Sequence, residues 1–444
     1  MSANSPSANN TADSAGIDGN LAAAPADGSG VATSVPPASC PHFAGYDPLA
    51  VEELRDPHRS FRIARSEHPV YYSERYGLWE VSRQADILAV LGDHENFSAA
   101  AALPMITPPA EVRDRMPEYP WTGCVLVLDE PEHRAPRALI QSPFTPRRVK
   151  AQGEGIRRKV DALLDPLARD GRVEFIGEVA YPLAFGTVND VLGLPAERFD
   201  LLERGVHATL SLLAGGLTDD EEILAAARTC ADLYEFVYEF IEERRAHPTD
   251  DYTSVIVNTR MGDGSLESTP QALKHVWTLI IAGFETTANA LSNGLRSLLS
   301  HRDQWDMLVA DRTLIDGAVE EMLRHRTLLK RLFRLATRDV VVGGVTIPKG
   351  ARVSLLVASA NRDERAVENP DVFDITRKQA HLAFGKGQHF CVGAPLARLE
   401  LKVALEAILD RFPDIVIAED QEITWRPNPM FDEMNSLYVQ VGGR

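Results

Sequence analysis

The sequence predicts a mainly α-helical protein with a small β portion. Three observations carry this. First, apolar residues recur at helical spacing in long stretches, with Ile156, Val160, Leu163, Leu164 and Leu167 in one and Leu233, Phe236, Val237, Phe240 and Ile241 in another. Second, residues 272–300 read as a single helix. At about 1.5 Å per residue it would span roughly 44 Å, the width of a whole domain. Third, strand signals are few and short.

Taken in order, residues 1–39 are Ala, Ser, Gly, Pro, Asn and Asp with almost no large hydrophobes. Such a segment cannot bury enough surface to offset the entropy of ordering, so it reads as a disordered tail. Residues 40–444 then form the folded domain. Residues 70–72 and 78–81 flank a polar turn containing Gly77 and read as a β-hairpin. Residues 96–123 hold Pro104, Pro108, Pro109, Pro117, Pro120 and a run of alanines, which predicts a long irregular loop. Helical periodicity sets in at Gln152. The later helical run should stop near His247-Pro248. Residues 276–284 are apolar nearly all round, so the centre of the long helix should be buried. Strands are predicted at 340–342, before Gly343-Gly344, at 353–357 and at 437–441, and a helix at 394–409. There is no internal repeat and no obvious linker.

Composition narrows the function. The 444 residues are 44% hydrophobic and 25% charged, as in ordinary globular chains, and the formal net charge is −18. That charge argues against binding through nucleic-acid phosphates, which calls for a basic patch. Cys40, Cys124, Cys230 and Cys391 are too few and too scattered for a disulfide framework. No apolar run reaches membrane-spanning length, and the N-terminus lacks a secretory pattern. The expectation is a cytoplasmic protein with no membrane partner.

One cysteine stands in an unusual setting. Cys391 lies in Phe384-Gly385-Lys386-Gly387-Gln388-His389-Phe390-Cys391-Val392-Gly393. A lone thiol is usually a small buried hydrophobe. A thiolate is also a metal ligand, and for iron in a porphyrin one axial thiolate is enough. Its sulfur then needs N–H donors, a backbone that can approach a flat ring, and the positive end of a helix. Glycines at 385, 387 and 393 and the helix predicted from residue 394 meet these needs, and His389 can donate to a porphyrin carboxylate. A zinc site through His389 and Cys391 would lack its further ligands.

This stretch resembles the haem-binding loop of cytochrome P450s. The resemblance covers the chain from about residue 45 to 442 and implies the cytochrome P450 fold. It implies haem b as cofactor, Cys391 as iron ligand, and Phe384 and Gly393 beside the haem. Ala282-Gly283-Phe284-Glu285-Thr286-Thr287 is similar to the family's A-G-x-[DE]-T motif. In that motif Ala282 and Gly283 leave room for a diatomic ligand. Thr286 can bond back to the carbonyl of residue 282 and loosen the helix, and Glu285 is the proton-relay carboxylate. Glu321 and Arg324 resemble the family's E-x-x-R ion pair, with a third partner at Arg365 or near Phe373. His133 and Arg137 fall in a stretch like E-H-x-x-x-R, and Arg334 in one like R-x-A-T. With His389 they would hold the haem propionates.

The segment after E-x-x-R departs from its relatives. It carries Lys330 and Arg331 where the substrate pocket is usually lined. Turned inward, either cation would favour an anionic substrate; the other reading has both outward or on a propionate. The pocket itself should be built from the 98–123 loop and residues 208–218, 280–284 and 328–333.

The implied function is a monooxygenase that activates O2 and inserts one oxygen atom into a small, mostly apolar substrate, aromatic ones included, by hydroxylation or O-dealkylation. No G-x-G-x-x-G follows a strand and no cysteine cluster is present, so electrons should come from a separate ferredoxin with its reductase. That partner should dock near Arg147, Arg148 and Lys386. Residues 420–441 resemble haem domains fused to a flavin and iron–sulfur reductase, so the chain is either a piece of such an enzyme or a free-standing relative. A monomer is expected. A peroxide-driven peroxygenase and a non-catalytic haem-binding sensor are the alternatives, and the intact Glu285–Thr286 pair argues against both.

Overall fold

The computed structural model describes residues 41–103, 105–213, 217, 219–262 and 264–442. The predicted N-terminal tail, Cys40, Pro104 and part of the 208–218 pocket segment lie outside the described residues.

The long helix is Thr269–Ser300. Ser268 caps it by accepting from the Gln271 N–H, and a proline sits in its first turn. Trp277, Leu279, Ile280, Ile281 and Phe284 are all buried, as an all-round apolar segment requires. Around it pack the helices Tyr181–Leu192, Phe199–Leu213, Asp220–Ala246 and Ile315–His325. The helix Ala394–Arg411, just after the cysteine loop, packs on Pro146–Leu163. Among the described residues no helix is long and apolar enough to cross a membrane.

The periodic run predicted from Gln152 proves to be two helices. The first starts earlier, at Pro146, because its opening turn is polar and exposed and shows no apolar rhythm. It ends at Leu163, and Asp165–Asp170 follows with Pro166 in its first turn, where a proline's missing N–H does no harm. The run ending at His247 is as predicted, with Asp220–Ala246 capped there.

The hairpin forms from Val70–Ser73 and Leu78–Val81 in antiparallel register. It starts a five-stranded sheet that continues through Arg352–Leu355, Leu332–Ala336 and Phe97–Ser98. The strand predicted at 353–357 therefore ends two residues early. Val357–Ala360 coil into a short turn of helix whose four residues are all buried. The final strand Tyr438–Gln440 pairs with Arg172–Glu174 and Val416–Ile417. The 96–123 loop is largely irregular, as predicted. It is tied to the helices by Arg115 on Asp232 and Glu235, and by the Ile106 N–H on the Leu212 carbonyl.

Candidate active site

The cysteine loop is a set of short backbone bonds. The Cys391 N–H donates to the Phe384 carbonyl (2.9 Å), Phe390 N–H to Gly387 (3.0 Å) and Gly385 N–H to Leu382 (2.9 Å). Gly385 and Gly387 take φ of +70° and +77°, the left-handed region that glycine enters without strain. A Cβ on Gly387 would also lie 3.0 Å from the Leu91 carbonyl oxygen. The thiol of Cys391 is unpaired and faces a cavity. Burial pushes its pKa up. The Gly393 N–H, the Arg137 guanidinium and the Ala394 N–H act the other way, as donors that stabilise a thiolate do. Gly393 caps the helix Ala394–Arg411, so the sulfur also sits near that helix's positive end.

The opposite wall of the same cavity is the middle of the long helix. Ala282, Gly283 and Thr286 line it, together with Phe384, His389, Cys391 and Gly393 from the loop. The Thr286 hydroxyl donates to the Ala282 carbonyl at 2.6 Å, the predicted back-bond. The backbone remains helical through 282–287 around this back-bond. The glycine at 283 has a second reason. A Cβ there would meet Val188 Cγ2 at 2.8 Å, so its absence admits the helix Tyr181–Leu192.

Glu285 is 4% exposed and does not line the cavity. It accepts from the Tyr181 hydroxyl at 3.3 Å, and His207 Nδ1 lies 3.3 Å away. Arg426 is 3.9 Å from the same oxygen, while Oε2 has no partner.

Four cation-forming groups meet at one edge of the cavity. His133 is 2% exposed, its Nε2 makes no hydrogen bond, and its ring centroid is 4.5 Å from that of His389. Arg137 donates to the Phe390 carbonyl (2.6 Å) and Arg334 to the Phe333 carbonyl (2.7 Å). No carboxylate forms an ion pair with either arginine among the described residues. Burial lowers the pKa of His133, Arg137 and Arg334. It pushes His389 down to about 3, with the charges of Arg334 and His133 adding to the effect. Buried cations and an unpartnered imidazole nitrogen call for an anionic ligand. Two carboxylates on a flat ring, with its metal above Cys391, answer all of it, so these residues fit a haem.

Two predicted placements need correction. Lys330 and Arg331 face neither solvent, cavity nor propionate site. Arg331 is buried against Glu80 (3.0 Å) and the Tyr46 hydroxyl (3.0 Å), and Lys330 donates to the Asn428 carbonyl (2.7 Å). Burial pushes the lysine pKa down to about 8. The cavity is lined instead by their neighbours Leu328, Leu329, Leu332 and Phe333. The third partner of Glu321 and Arg324 is Arg377, at 3.3 Å from Glu321, not Arg365, which pairs with Asp363 and Glu364 near the surface. Arg377 lies four residues past Phe373, in the other predicted region. Sequence reasoning also missed Tyr181, His207, Arg426 and Glu433 around Glu285. They come from three segments far apart in the sequence, and no local pattern marks them.

Comparison with known proteins agrees with this geometry. The family model described as Cytochrome P450 matches residues 209–431. The chain is 36% identical over 370 residues to the steroid C26-monooxygenase of Mycolicibacterium smegmatis, covering 83% of this chain and 88% of that protein. The structure superposes with a TM-score of 0.81 on P450BioI, crystallised with an acyl carrier protein, at 31% identity, covering 88% of this chain and all of that one. It superposes at 0.84 on an intact type IV self-sufficient cytochrome P450 monooxygenase, at 32% identity, covering 91% of this chain and 54% of that one. The chain belongs to the cytochrome P450 family and is a haem b-dependent monooxygenase.

Proposed function

We propose that the chain oxidises uncharged, mostly apolar organic molecules by O2- and reductase-dependent hydroxylation or O-dealkylation. One observation carries this reading: a single cavity is lined by both Cys391 and Thr286. Between them stand apolar side chains such as Leu103, Trp121, Val191, Leu210 and Phe431. Lys330 and Arg331 are turned away, and Arg326, which does reach the cavity, is neutralised by Asp432 at 2.7 Å. With Arg137 and Arg334 given to the propionates, the cations left along the cavity among the described residues are Arg326, already paired, and Lys386, out on the cysteine loop, so an anionic substrate finds no unpaired cation beside the 328–333 wall.

Cys391 would be the iron's thiolate ligand, and His133, Arg137, Arg334 and His389 would hold the propionates. Ala282, Gly283, Phe384 and Gly393 would flank the ring. When bound, the haem supplies the redox-active iron at which O2 is reduced. The balance is RH + O2 + 2 e⁻ + 2 H⁺ giving ROH + H2O. Thr286 holds a proton at its hydroxyl beside the cavity, and Glu285, on the far side of the same turn, is the reservoir behind it. The apolar walls exclude bulk water, which keeps protons on that route.

Electrons would come from a ferredoxin and reductase docking near Arg147, Arg148 and Lys386, which are all exposed. The self-sufficient relative supports a flavin and iron–sulfur source. The steroid-oxidising relative supports including aliphatic ring systems among trial substrates. A cytoplasmic monomer remains part of the reading.

The test is the ferrous carbonyl spectrum. Wild type should show the red-shifted band of thiolate ligation, and Cys391→His should lose it while still binding haem. A wild-type spectrum like that of imidazole-ligated globins would refute the assignment of Cys391. Product formed with peroxide but never with NAD(P)H, ferredoxin and reductase would favour the peroxygenase alternative.

A further inference from the structure

We propose that His207 is a positioning residue for oxygen activation: it holds Glu285 and returns protons to it from solvent, so that proton loading depends on the helix Phe199–Leu213 being seated over the cavity. This role rests on Glu285 and Thr286 acting as the proton-delivery pair.

Glu285 faces away from the cavity into a buried cluster, and each proton it releases must be replaced through that cluster. Five groups face it. Tyr181 is buried, and burial, followed by the Glu285 charge, raises its pKa far above neutrality. Arg426 touches solvent but does not give up a proton. Asn289 does not titrate. Glu433 is 6% exposed, against 32% for the His207 side chain, and accepts from Asn428 at 3.3 Å. His207 remains. Its Nδ1 is 3.3 Å from Glu285 Oε1, and its side chain is 32% exposed. It is the one imidazole among the five, and its side chain reaches water.

The charges around His207 come from Glu285 on the long helix, Arg426 and Glu433 on the C-terminal segment, and Glu203 on its own helix. Burial lowers the imidazole pKa, but the hydrogen bond and charge of Glu285 outweigh it, and the net shift is upward. Glu433, by contrast, is pushed up to about 7 by burial and then by the Glu285 charge.

The coupling to the roof follows from placement. Leu210 and Leu213, on the same helix as His207, line the cavity. When that helix lifts, the roof opens and the His207–Glu285 contact breaks together. An open cavity would then lack a loaded proton reservoir.

The test compares holoenzymes carrying His207→Gln, His207→Arg, Glu433→Gln and Glu285→Gln with wild type. The probe is O-demethylation of anisole, driven either by NAD(P)H through ferredoxin and reductase or by hydrogen peroxide. Peroxide brings its own two protons and two electrons, so only the O2-driven reaction needs reloading of Glu285. His207→Gln should slow the O2-driven rate about ten-fold and raise the ratio of rates in H2O and D2O, while the peroxide-driven rate stays within about two-fold. His207→Arg keeps the charge contact but cannot hand over a proton, so it should be equally slow. A separate readout is the NMR titration of His207 in the ferrous carbonyl form. Its midpoint should lie above the ordinary imidazole value and drop in Glu285→Gln.

A normal O2-driven rate in His207→Gln, with Glu285→Gln slow, overturns the inference and leaves the proton-pair reading intact. A normal rate in Glu285→Gln overturns that reading itself. An equal loss with both oxidants in His207→Gln would make the residue purely structural. Full activity of His207→Arg would reduce it to an electrostatic prop. Slowing by Glu433→Gln but not by His207→Gln would move the route to the C-terminal segment.

Discussion

Two groups of arginines in this chain are treated in opposite ways. Arg324 makes two 2.7 Å bonds to Glu321 and donates to the carbonyls of Asn361, Pro370 and Val372, and Arg377 adds a second cation to the same carboxylate. Every charge there is answered within the chain. Arg137 and Arg334 have only a neighbouring carbonyl each, beside two histidines with lowered pKa. The first group completes a fold; the second waits for a ligand. What separates a structural charge from a binding charge is thus less its burial than whether its hydrogen bonds are already used.

That contrast can be broken at several points. The largest effect is expected for Arg324→Leu, which leaves the buried Glu321 with Arg377 as its remaining cation and removes both 2.7 Å bonds. Unfolding in urea should show a loss of about 3–5 kcal/mol, in apoprotein and holoprotein alike. Arg334→Leu should leave apoprotein stability unchanged or slightly improved, yet weaken haem binding by about 1.5–3 kcal/mol, roughly ten- to a hundred-fold in transfer to apomyoglobin. If Arg334→Leu instead unfolds the apoprotein, the contrast is wrong.

A third effect depends on pH. The folded-state pKa of His389 is depressed to about 3. Its neutral form therefore supports the fold above the unfolded value near 6.5, and that support is lost as pH falls towards 3. Apoprotein stability should decline by up to about 1.4 kcal/mol per pH unit below about 6.5 on this account, and His389→Gln should flatten the decline. Bound propionates would favour the charged ring, so adding haem should flatten it too. The smallest effect belongs to Arg365→Ala. Arg365 is 45% exposed and its nearer partner Glu364 41%, while the contact with buried Asp363 is longer, so the stability change should stay within about 0.5 kcal/mol. A loss comparable to that of Arg324→Leu would restore Arg365 as the third partner of the core pair.

Much of the site is readable before any fold is known. The cysteine loop packs donors, positive-φ glycines and a helix start into ten consecutive residues, so its geometry is local. The Thr286 back-bond spans four residues of one helix and is equally local. Helix ends were readable where a proline follows the apolar rhythm, as at His247-Pro248, and not where a proline opens a polar first turn ahead of it, as at Pro146. The haem-edge cations could be singled out only by resemblance, because His133, Arg137, Arg334 and His389 each look like surface residues alone.

The sequence by itself determined the helical class, the central helix and the chemistry of Cys391, since backbone bonds and side-chain period act over a few residues. Only the tertiary structure decided that Arg377 completes the core pair, that Arg331 turns to Glu80, that Val188 fills the space beside Gly283, and that His207 meets Glu285. Those contacts join segments tens to hundreds of residues apart. Which buried charge faces which partner is settled when helices pack and every desolvated group must find a bond.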